Sequence, residues 1–310
     1  MKKKQSDLKL NKNTKIKLCA SDATLHIITT LILLAVLIIV AYPVIFIVSS
    51  SFSSSAAIAS GRVILWPVKP SIGAYQFVFQ YKNVYIGYAN TIIYTVLGTF
   101  INIIMSVLAA YPLSKRGFQG RNLYMTVFFI TMLVGAGMIP NYLIKSKFGL
   151  INNVLVMLIP GAIGTHNMII IRTAFQNSIP GELFEAAKID GASDFQCLYK
   201  IAMPLAKPTI SVVTLYYAVG HWNSYFTAMI YFRDKNLWPL QLFLRNLLAA
   251  SAGIEVSGSD NSSALAEMLK DGTEGIKYAL IVVSTVPVLI LYGIVQKYFK
   301  KGVMIGAVKG

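Results

Sequence analysis

Charged side chains are scarce in this sequence. They make up 13% of its 310 residues, whereas soluble domains average about 25%. All twelve acidic residues lie outside six apolar segments, at about 25–51, 86–113, 121–140, 153–172, 207–232 and 277–299. A membrane crossing needs about 20 apolar residues, and only helices or closed barrels satisfy the backbone in lipid. The scarcity of charge excludes an ordinary soluble enzyme and predicts an all-α membrane protein with six transmembrane helices.

Residues that carry catalysis or bind metals are also few. The sequence has two cysteines, Cys19 and Cys197, and three histidines, all far apart in the chain. This spacing excludes a disulfide framework and a Cys/His metal site. The phosphate-binding pattern GxxxxGK[ST] is absent, as are HExxH and GxSxG. We expect no catalytic residue, no metal and no cofactor in this chain. The lack of carboxylates within the apolar segments also argues against a proton-coupled carrier.

The net charge of +16 is concentrated next to the apolar segments. Seven lysines precede the first segment, and with the N-terminus inside the cell eighteen of the 28 basic residues fall on the inner side and ten on the outer side. Positive flanks mark the cytoplasmic side and attract anionic lipid. The charge therefore predicts cytoplasmic termini and contact with membrane lipid. It does not predict nucleic-acid binding.

These positions predict a layout in chain order. It consists of a basic cytoplasmic tail at 1–24, a first transmembrane helix at 25–51, an external loop at 52–85, a core with five more transmembrane helices at 86–300, and a cytoplasmic tail at 301–310. Within the core we predict a cytoplasmic elbow at 178–204 and an external loop at 233–276.

The external loop contains leucines at helical spacing, which predicts an amphipathic helix. Two interpretations remain open for this helix. It packs against the outer face of its own chain, or it binds a partner through residues such as Trp238, Leu240 and Phe243.

Six polar or aromatic residues inside the apolar segments are candidates for a translocation pathway: Asn102, His166, Asn167, His221, Trp222 and Asn223. Unsatisfied polar groups are costly in hydrocarbon, so these side chains should face the bundle interior or a wet cavity. A ring such as Trp222 suits the apolar face of a sugar. For Asn102, Ser284 and Thr285, hydrogen bonds between helices are an equally good interpretation.

Local signals in the elbow predict two short helices joined at a glycine. Ser178 is a candidate N-cap, with Pro180 in the first turn, and Gly191 can end that helix in a left-handed conformation. Ser193 and Gln196 then form a capping-box pattern for a second helix over about 194–203, which Pro204 ends.

An elbow this short cannot bury its own apolar side chains. Phe184, Ala187, Phe195 and Leu198 therefore need a partner. Either the ends of the chain's own transmembrane helices or another protein could supply it.

The elbow resembles a known signature. Glu185-Ala186-Ala187, Gly191 and Ile201-x-Met203-Pro204 match E-A-A-x3-G-x9-I-x-L-P, which is typical of the membrane subunits of bacterial ATP-binding cassette importers; Met203 in place of Leu is the one departure. The stretches YANTIIYT, AYPLSKR, GHWNSYFTAMIY and KYFKKGVMIGAVKG resemble the second, maltose-type permease subunit of the carbohydrate branch.

The resemblance implies a type I importer permease fold in a bacterial plasma membrane. It also implies that the elbow docks on an ATPase subunit through Phe184, Glu185, Ala186, Ala187, Gly191 and Ser193. The implied partners are a homologous second permease, two ATP-binding subunits that hold ATP and Mg, and an external or periplasmic sugar-binding protein. Trp238, Leu240 and Phe243 would contact that binding protein. The alternatives are a stand-alone carrier or channel, a membrane scaffold, and an importer permease for a solute other than a sugar.

Overall fold

The computed structural model describes residues 20–80, 82–251 and 274–307. Most of the predicted basic tail, the middle of the predicted external loop at 252–273 and the last three residues lie outside these ranges. The described residues are mainly helical, and their only strand-like pairing is an isolated antiparallel bridge between Ser53 and Pro70.

The helices follow one another along the chain. They are α1 Ala20–Ser51, α2 Ser55–Ala59, α3 Gly73–Gln80, α4 Lys82–Ser114, α5 Arg121–Leu133, α6 Met138–Lys147, α7 Leu155–Leu158, α8 Thr165–Ser178, α9 Gly181–Ile189, α10 Asp194–Gln196, a π-helical turn Cys197–Ala202, α11 Met203–Leu205, α12 Lys207–Trp222, α13 Tyr225–Tyr231, a 3-10 turn Lys235–Leu237, α14 Leu240–Ser251 and α15 Glu274–Ala307.

Three of the predicted spans are single long helices. Within the described ranges, α1, α4 and α15 are long and apolar enough to cross a membrane by length and composition. Their bounds extend a few residues beyond the predicted segments 25–51, 86–113 and 277–299. Stretches of more than 20 mostly apolar residues without an acidic residue favour this outcome.

The other three predicted spans are interrupted. The segment 121–140 is divided into α5 and α6, which meet at 114°, so this pair counts as a fourth candidate span only if it is taken as one unit. The segment 153–172 is divided into α7 and α8, and 207–232 into α12 and α13. Gly137 and Gly161 have φ of +76° and +81° at the first two breaks, a conformation that costs glycine little. The predicted segments were defined by their apolar content, and a single glycine at a break hardly changes that content, so the breaks were not predicted.

Two ends of the bundle have separate cores. At one end, Met168, Ile171 and Phe175 of α8 pack with residues of α4, α12 and the elbow. At the other end, Leu240, Leu244 and Leu247 of α14 pack against α4 and α15. The middle of α4 lies between α8 and α12, and α15 packs against α1 and α12.

The elbow has the predicted glycine and the predicted cap. Gly191 has φ +78°, and the Ser193 amide donates to Gln196 Oε1 at 2.9 Å while the Gln196 amide donates to Ser193 Oγ at 3.3 Å. Both halves of the capping box are therefore present, and the prediction of a two-helix elbow is confirmed.

Two details of the elbow were predicted wrongly. Ser178 is the last residue of α8 and does not cap α9; Pro180, with ψ 139°, occupies the N-cap position. Pro204 lies inside α11 and does not end the second helix, because the π-helical turn before it changes the hydrogen-bond register. The break comes two residues later, at Ala206.

Candidate functional site

The elbow is anchored to the rest of the chain by its inward face. Phe184 is half-buried, and its ring lies 6.1 Å from the ring of Tyr111 on α4. Leu198 is buried and Ala187 is partly buried in the same core. The apolar residues predicted to need a partner therefore divide into two groups: Phe184, Ala187 and Leu198 pack on their own chain, and Phe195 does not.

A charged pair ties the elbow to the end of α4. Lys115 Nζ lies 2.5 Å from Asp194 Oδ1 and 4.4 Å from the centroid of the Tyr111 ring. Burial, the largest single influence, lowers the pKa of Lys115, but the hydrogen bonds of Lys115 with Asp194 and Tyr111 and the charge of Asp194 together outweigh it, so this pKa is raised. The hydrogen bond from Lys115 lowers the pKa of Asp194. Both groups are therefore held in their charged forms at neutral pH.

The C-terminal end of α4 is also held by α8. Arg172 Nε donates to the carbonyl of Leu113 at 2.9 Å, and Gln176 Nε2 donates to the carbonyl of Ser114 at 3.2 Å. These carbonyls have no partner inside their helix, and a cation near them is favourable. This contact explains why Arg172 is tolerated at the end of an otherwise apolar segment.

The outward face of the elbow is exposed and apolar. Ile189, Phe195 and Tyr199 are 87%, 75% and 73% exposed, and the side chains of Glu185 and Ala186 are exposed beside them. Adjacent large apolar side chains on a protein surface indicate an interaction site. This face is the part of the elbow that the chain's own helices leave uncovered.

The middle of the bundle contains a ladder of polar side chains between α4 and α12. Asn102 Oδ1 lies 2.6 Å from His221 Nε2, and Ser106 Oγ lies 2.7 Å from the Tyr217 hydroxyl. Asn102 and Ser106 are four residues apart on α4, and Tyr217 and His221 are four residues apart on α12. This spacing places the two residues of each helix on one face. Gly98, one turn before Asn102, leaves room for the imidazole, because a Cβ there would lie 2.4 Å from the His221 ring.

The ladder also provides hydrogen-bond partners for the non-helical backbone between α7 and α8. Asn102 Nδ2 donates to the carbonyls of Gly161 and Ala162 at 2.9 and 3.0 Å, and the amide of Gly164 donates to the Tyr217 hydroxyl at 2.9 Å. Non-helical backbone at membrane depth needs such partners. The interpretation of Asn102 as a bridge between helices is therefore supported by its contacts.

Beside the ladder lies a groove of about 380 Å³. Its polar lining includes Asn102, Lys145, Asn167, Tyr216, Tyr217 and His221. The structure thus brings three of the six predicted pathway residues together: Asn102, Asn167 and His221. Asn102 and Tyr217 already form hydrogen bonds within the chain, so Asn167 and Tyr216 are the groups of the groove that can donate to and accept from the hydroxyls of a ligand.

The other three predicted pathway residues lie elsewhere. Trp222 is buried on the opposite side of α12, where Nε1 donates to the carbonyl of Ser284 at 3.0 Å, so its ring is not available to a sugar in this conformation. His166 and Asn223 are exposed and do not line the groove. The sequence could not separate these residues because consecutive helical positions point in different directions.

At the end of the bundle away from the elbow, α4 holds the start of the predicted external loop. Asn90 Nδ2 donates to the carbonyl of Trp238 at 3.1 Å, and the Leu240 amide donates to Thr91 Oγ1 at 2.9 Å. Gly87 permits this approach, because a Cβ there would lie 3.1 Å from the Leu240 Cα. The YANTIIYT stretch thus fixes α14 against the bundle.

This packing corrects the prediction for Leu240. Leu240 is fully buried, so it cannot contact a partner. Phe243 is partly buried in the core that α14 forms with α4 and α15. Trp238 is half-buried in a further core, which contains Tyr94 and Leu242. The interpretation that α14 packs on its own chain is confirmed.

Sequence reasoning missed four residues of these sites: Lys115, Lys145, Asp194 and Tyr217. Tyr217 could have been found, because it lies four residues before His221 on the same helix face. Lys145 reaches the groove through the bend between α5 and α6, and Asp194 reaches Lys115 because the elbow packs on α4; both contacts join residues far apart in the chain.

Comparison with known proteins gives consistent results. Residues 102–305 match the family described as "Binding-protein-dependent transport system inner membrane component". The chain is 39% identical to the polygalacturonan/rhamnogalacturonan transport system permease protein YtcP of Bacillus subtilis (strain 168), over 82% of this chain and 87% of that protein. It is 38% identical to Protein LplC of the same organism, over 83% and 85%.

A solved structure also matches. The fold is similar, with a TM-score of 0.81 and 38% identity, to a chain in the crystal structure of a bacterial ABC transporter involved in the import of the acidic polysaccharide alginate. The match covers 91% of this chain and 99% of that one.

Proposed function

Because the chain belongs to the family of inner membrane components of binding-protein-dependent transport systems, we propose that it is the permease subunit of an ATP-binding cassette importer for a sugar or oligosaccharide. The relatives support the carbohydrate class, since YtcP is described as a polygalacturonan/rhamnogalacturonan permease and the matching structure is of an alginate importer. The chain itself performs transport, and hydrolysis of ATP with Mg takes place on separate subunits.

The observation that carries this proposal is the exposed elbow. The capping box and the left-handed Gly191 define its shape, and the Lys115–Asp194 pair and the packing of Phe184 on Tyr111 attach it to α4. Its uncovered face presents Glu185, Ala186 and large apolar side chains. A rigid, apolar handle tied to the bundle is what a coupling helix requires. We therefore assign Glu185, Ala186, Gly191 and Ser193 to the surface that docks on an ATPase subunit, while Ala187 packs on the core of its own chain.

In this proposal Phe184 has a different role from the predicted one. Its ring packs on Tyr111, so it transmits movement from the elbow to α4 and does not itself contact the ATPase.

The proposed topology has six crossings in a bacterial plasma membrane, with both termini in the cytoplasm. α1, α4 and α15 each make one crossing, and the three interrupted segments make the others. The distribution of Lys and Arg supports this orientation. The proposed domain bounds remain those given by the sequence: 1–24, 25–51, 52–85, 86–300 and 301–310.

The proposed assembly contains a homologous second permease, two ATP-binding subunits and an external or periplasmic sugar-binding protein. One chain of this size supplies half of a twelve-helix pathway. We propose that Asn102, Asn167 and His221 face that pathway, because they share the groove between α4, α8 and α12. Trp238 and Phe243 are half-buried, and we propose that the exposed parts of their side chains contact the binding protein.

The docking role is tested by Gly191→Val and Glu185→Lys in the assembled transporter. Valine at φ +78° is strained by about 1–2 kcal/mol, and Lys reverses the charge on the exposed face. We expect ATPase subunits to be lost from the purified complex and sugar uptake to fall.

The matched control is Gly61→Val. Gly61 has φ +66°, and, as at Gly191, a Cβ would meet no atom within 4 Å, so the same strain is introduced outside the elbow. Uptake and ATPase retention should survive this change. Equal effects of the two valines, or unchanged uptake in both elbow variants, would contradict the docking role.

A further inference from the structure

The groove beside the polar ladder contains an ammonium group. Lys145, in the last turn of α6, is half-buried and lines the groove with Asn102, Asn167 and His221. The neighbouring Lys147 belongs to the same turn, but it is exposed and does not line the groove. The bend of 114° between α5 and α6 is what directs α6 to this place.

Lys145 has no carboxylate beside it. In the parts of the chain that the structure describes, the ion pairs are Lys115–Asp194 and Lys277–Glu274, and no acidic residue lines the groove. Lys145 Nζ instead lies 4.4 Å from the centroid of the Tyr231 ring. A cation over an aromatic face is stabilised, but the face does not neutralise it. A partly desolvated ammonium without a counter-ion favours an anionic ligand.

The other groups of the groove are suited to hydroxyls. Asn167 offers an amide and Tyr216 offers a phenol group, whereas the hydroxyl of Tyr217 is bonded to Ser106 and Gly164. Tyr216 is 51% exposed, so its ring presents a flat apolar surface to the groove. Hydroxyl recognition, an aromatic surface and a single cation together describe a sugar that carries a carboxylate.

We propose that this groove binds a uronate unit of an acidic oligosaccharide and that Lys145 pairs with its carboxylate. The proposal rests on the proposed function as a sugar permease and narrows its substrate class. Lys145 is then the residue that separates acidic from neutral sugars during passage, and the buried Tyr231 ring holds its ammonium group in place. A carboxylate on the companion permease is the other group that could meet Lys145, and the experiment distinguishes the two.

The test compares Lys145→Gln with Lys147→Gln in the full transporter, reconstituted in vesicles with its binding protein. The probes are galacturonate and mannuronate oligomers, and the same oligomers with their carboxyl groups methyl-esterified. The esters keep the sugar skeleton and lose the charge. Assembly is followed by the amount of companion permease and ATPase that purifies with each variant.

We expect Lys145→Gln to lower the initial rate of uptake of the acidic oligomers by about tenfold or more, since a hydrogen bond to a charged group contributes about that factor. Uptake of the esters relative to the wild-type transporter should change by less than about twofold, and Lys147→Gln should leave both probes unaffected. The loss for the acidic probes should shrink as salt is raised, because screening weakens the pair.

Three results would overturn the inference. Equal losses for acids and esters together with loss of the companion permease would assign Lys145 to a subunit contact. Transport of neutral oligosaccharides but of no acidic probe by the wild-type complex would leave the proposed function intact and refute the substrate class. Transport of no oligosaccharide of any kind would refute the proposed function itself.

Discussion

Replacement of Gly98 by alanine should disrupt the polar ladder from the inside. An added Cβ would lie 2.4 Å from His221 Cε1 and 2.5 Å from its Nε2, which is closer than such atoms approach in folded proteins. The imidazole is held at this place by Asn102, 2.6 Å away. Because α4 and α12 pack along their length, the ring has to rotate away from Asn102 or the helices have to separate.

The expected size of the effect follows from opposing contributions. Alanine in place of glycine favours a helix by about 0.5–1 kcal/mol. Overpacking costs about 1–3 kcal/mol, and loss of the hydrogen bond between His221 and Asn102 costs about 0.5–1.5 kcal/mol. The costs exceed the gain, and we expect a net loss of stability on the order of 1–3 kcal/mol.

The assay is thermal unfolding of the purified complex, with Gly293→Ala as the matched control. Gly293 lies within α15, and a Cβ there would meet no atom within 4 Å, so this variant receives the helical gain without the clash. We expect the unfolding temperature to fall for Gly98→Ala and to stay level or rise for Gly293→Ala. A Gly98→Ala protein as stable as its control would refute the close packing of α4 on His221.

Two further predictions concern the elbow. A double-mutant cycle with Lys115→Met and Asp194→Asn should give a coupling of about 0.2–1 kcal/mol, since Asp194 is largely exposed. Because the pKa of Asp194 is lowered, this coupling is fully present above the ordinary value of 3.8 and is lost as pH falls through the lowered pKa. Because the pKa of Lys115 is raised, the coupling is fully present below the ordinary value of 10.5 and is lost as pH rises through the raised pKa. A cycle with no coupling at neutral pH would contradict the pair. Ser193→Ala should destabilise the second half of the elbow by about 0.5–2 kcal/mol, measured as faster amide exchange around Gln196, with unchanged exchange contradicting the capping box.

Several parts of the structure could be predicted from sequence because their signals are local. The capping box of Ser193 and Gln196 depends on residues three apart, and the left-handed turn at Gly191 depends on one residue. The long helices α1, α4 and α15 follow from long, mostly apolar stretches. Membership of the transport family follows from the same elbow, since its signature is a contiguous pattern.

The remaining features depend on contacts between distant segments. Asn102 could be predicted to be polar and internal, but its partners lie 59 to 119 residues further along the chain. Trp222 and His221 are adjacent in sequence and face opposite sides of α12, toward Ser284 and toward Asn102. Helical geometry separates neighbours in this way, and only the packing shows which side faces the groove.

The sequence by itself determined that this protein is a helical membrane permease with a two-helix elbow, because composition, the elbow signature and capping residues are patterns of neighbouring residues. Only the tertiary structure decided which polar residues share a groove, that Leu240 is buried, and that Lys145 lies without a carboxylate beside Tyr231. The physical reason is that breaks at glycine and bends between helices bring residues that are far apart in the chain into contact. Such contacts depend on how the helices pack against each other, and the residue pattern of a single helix does not specify that packing.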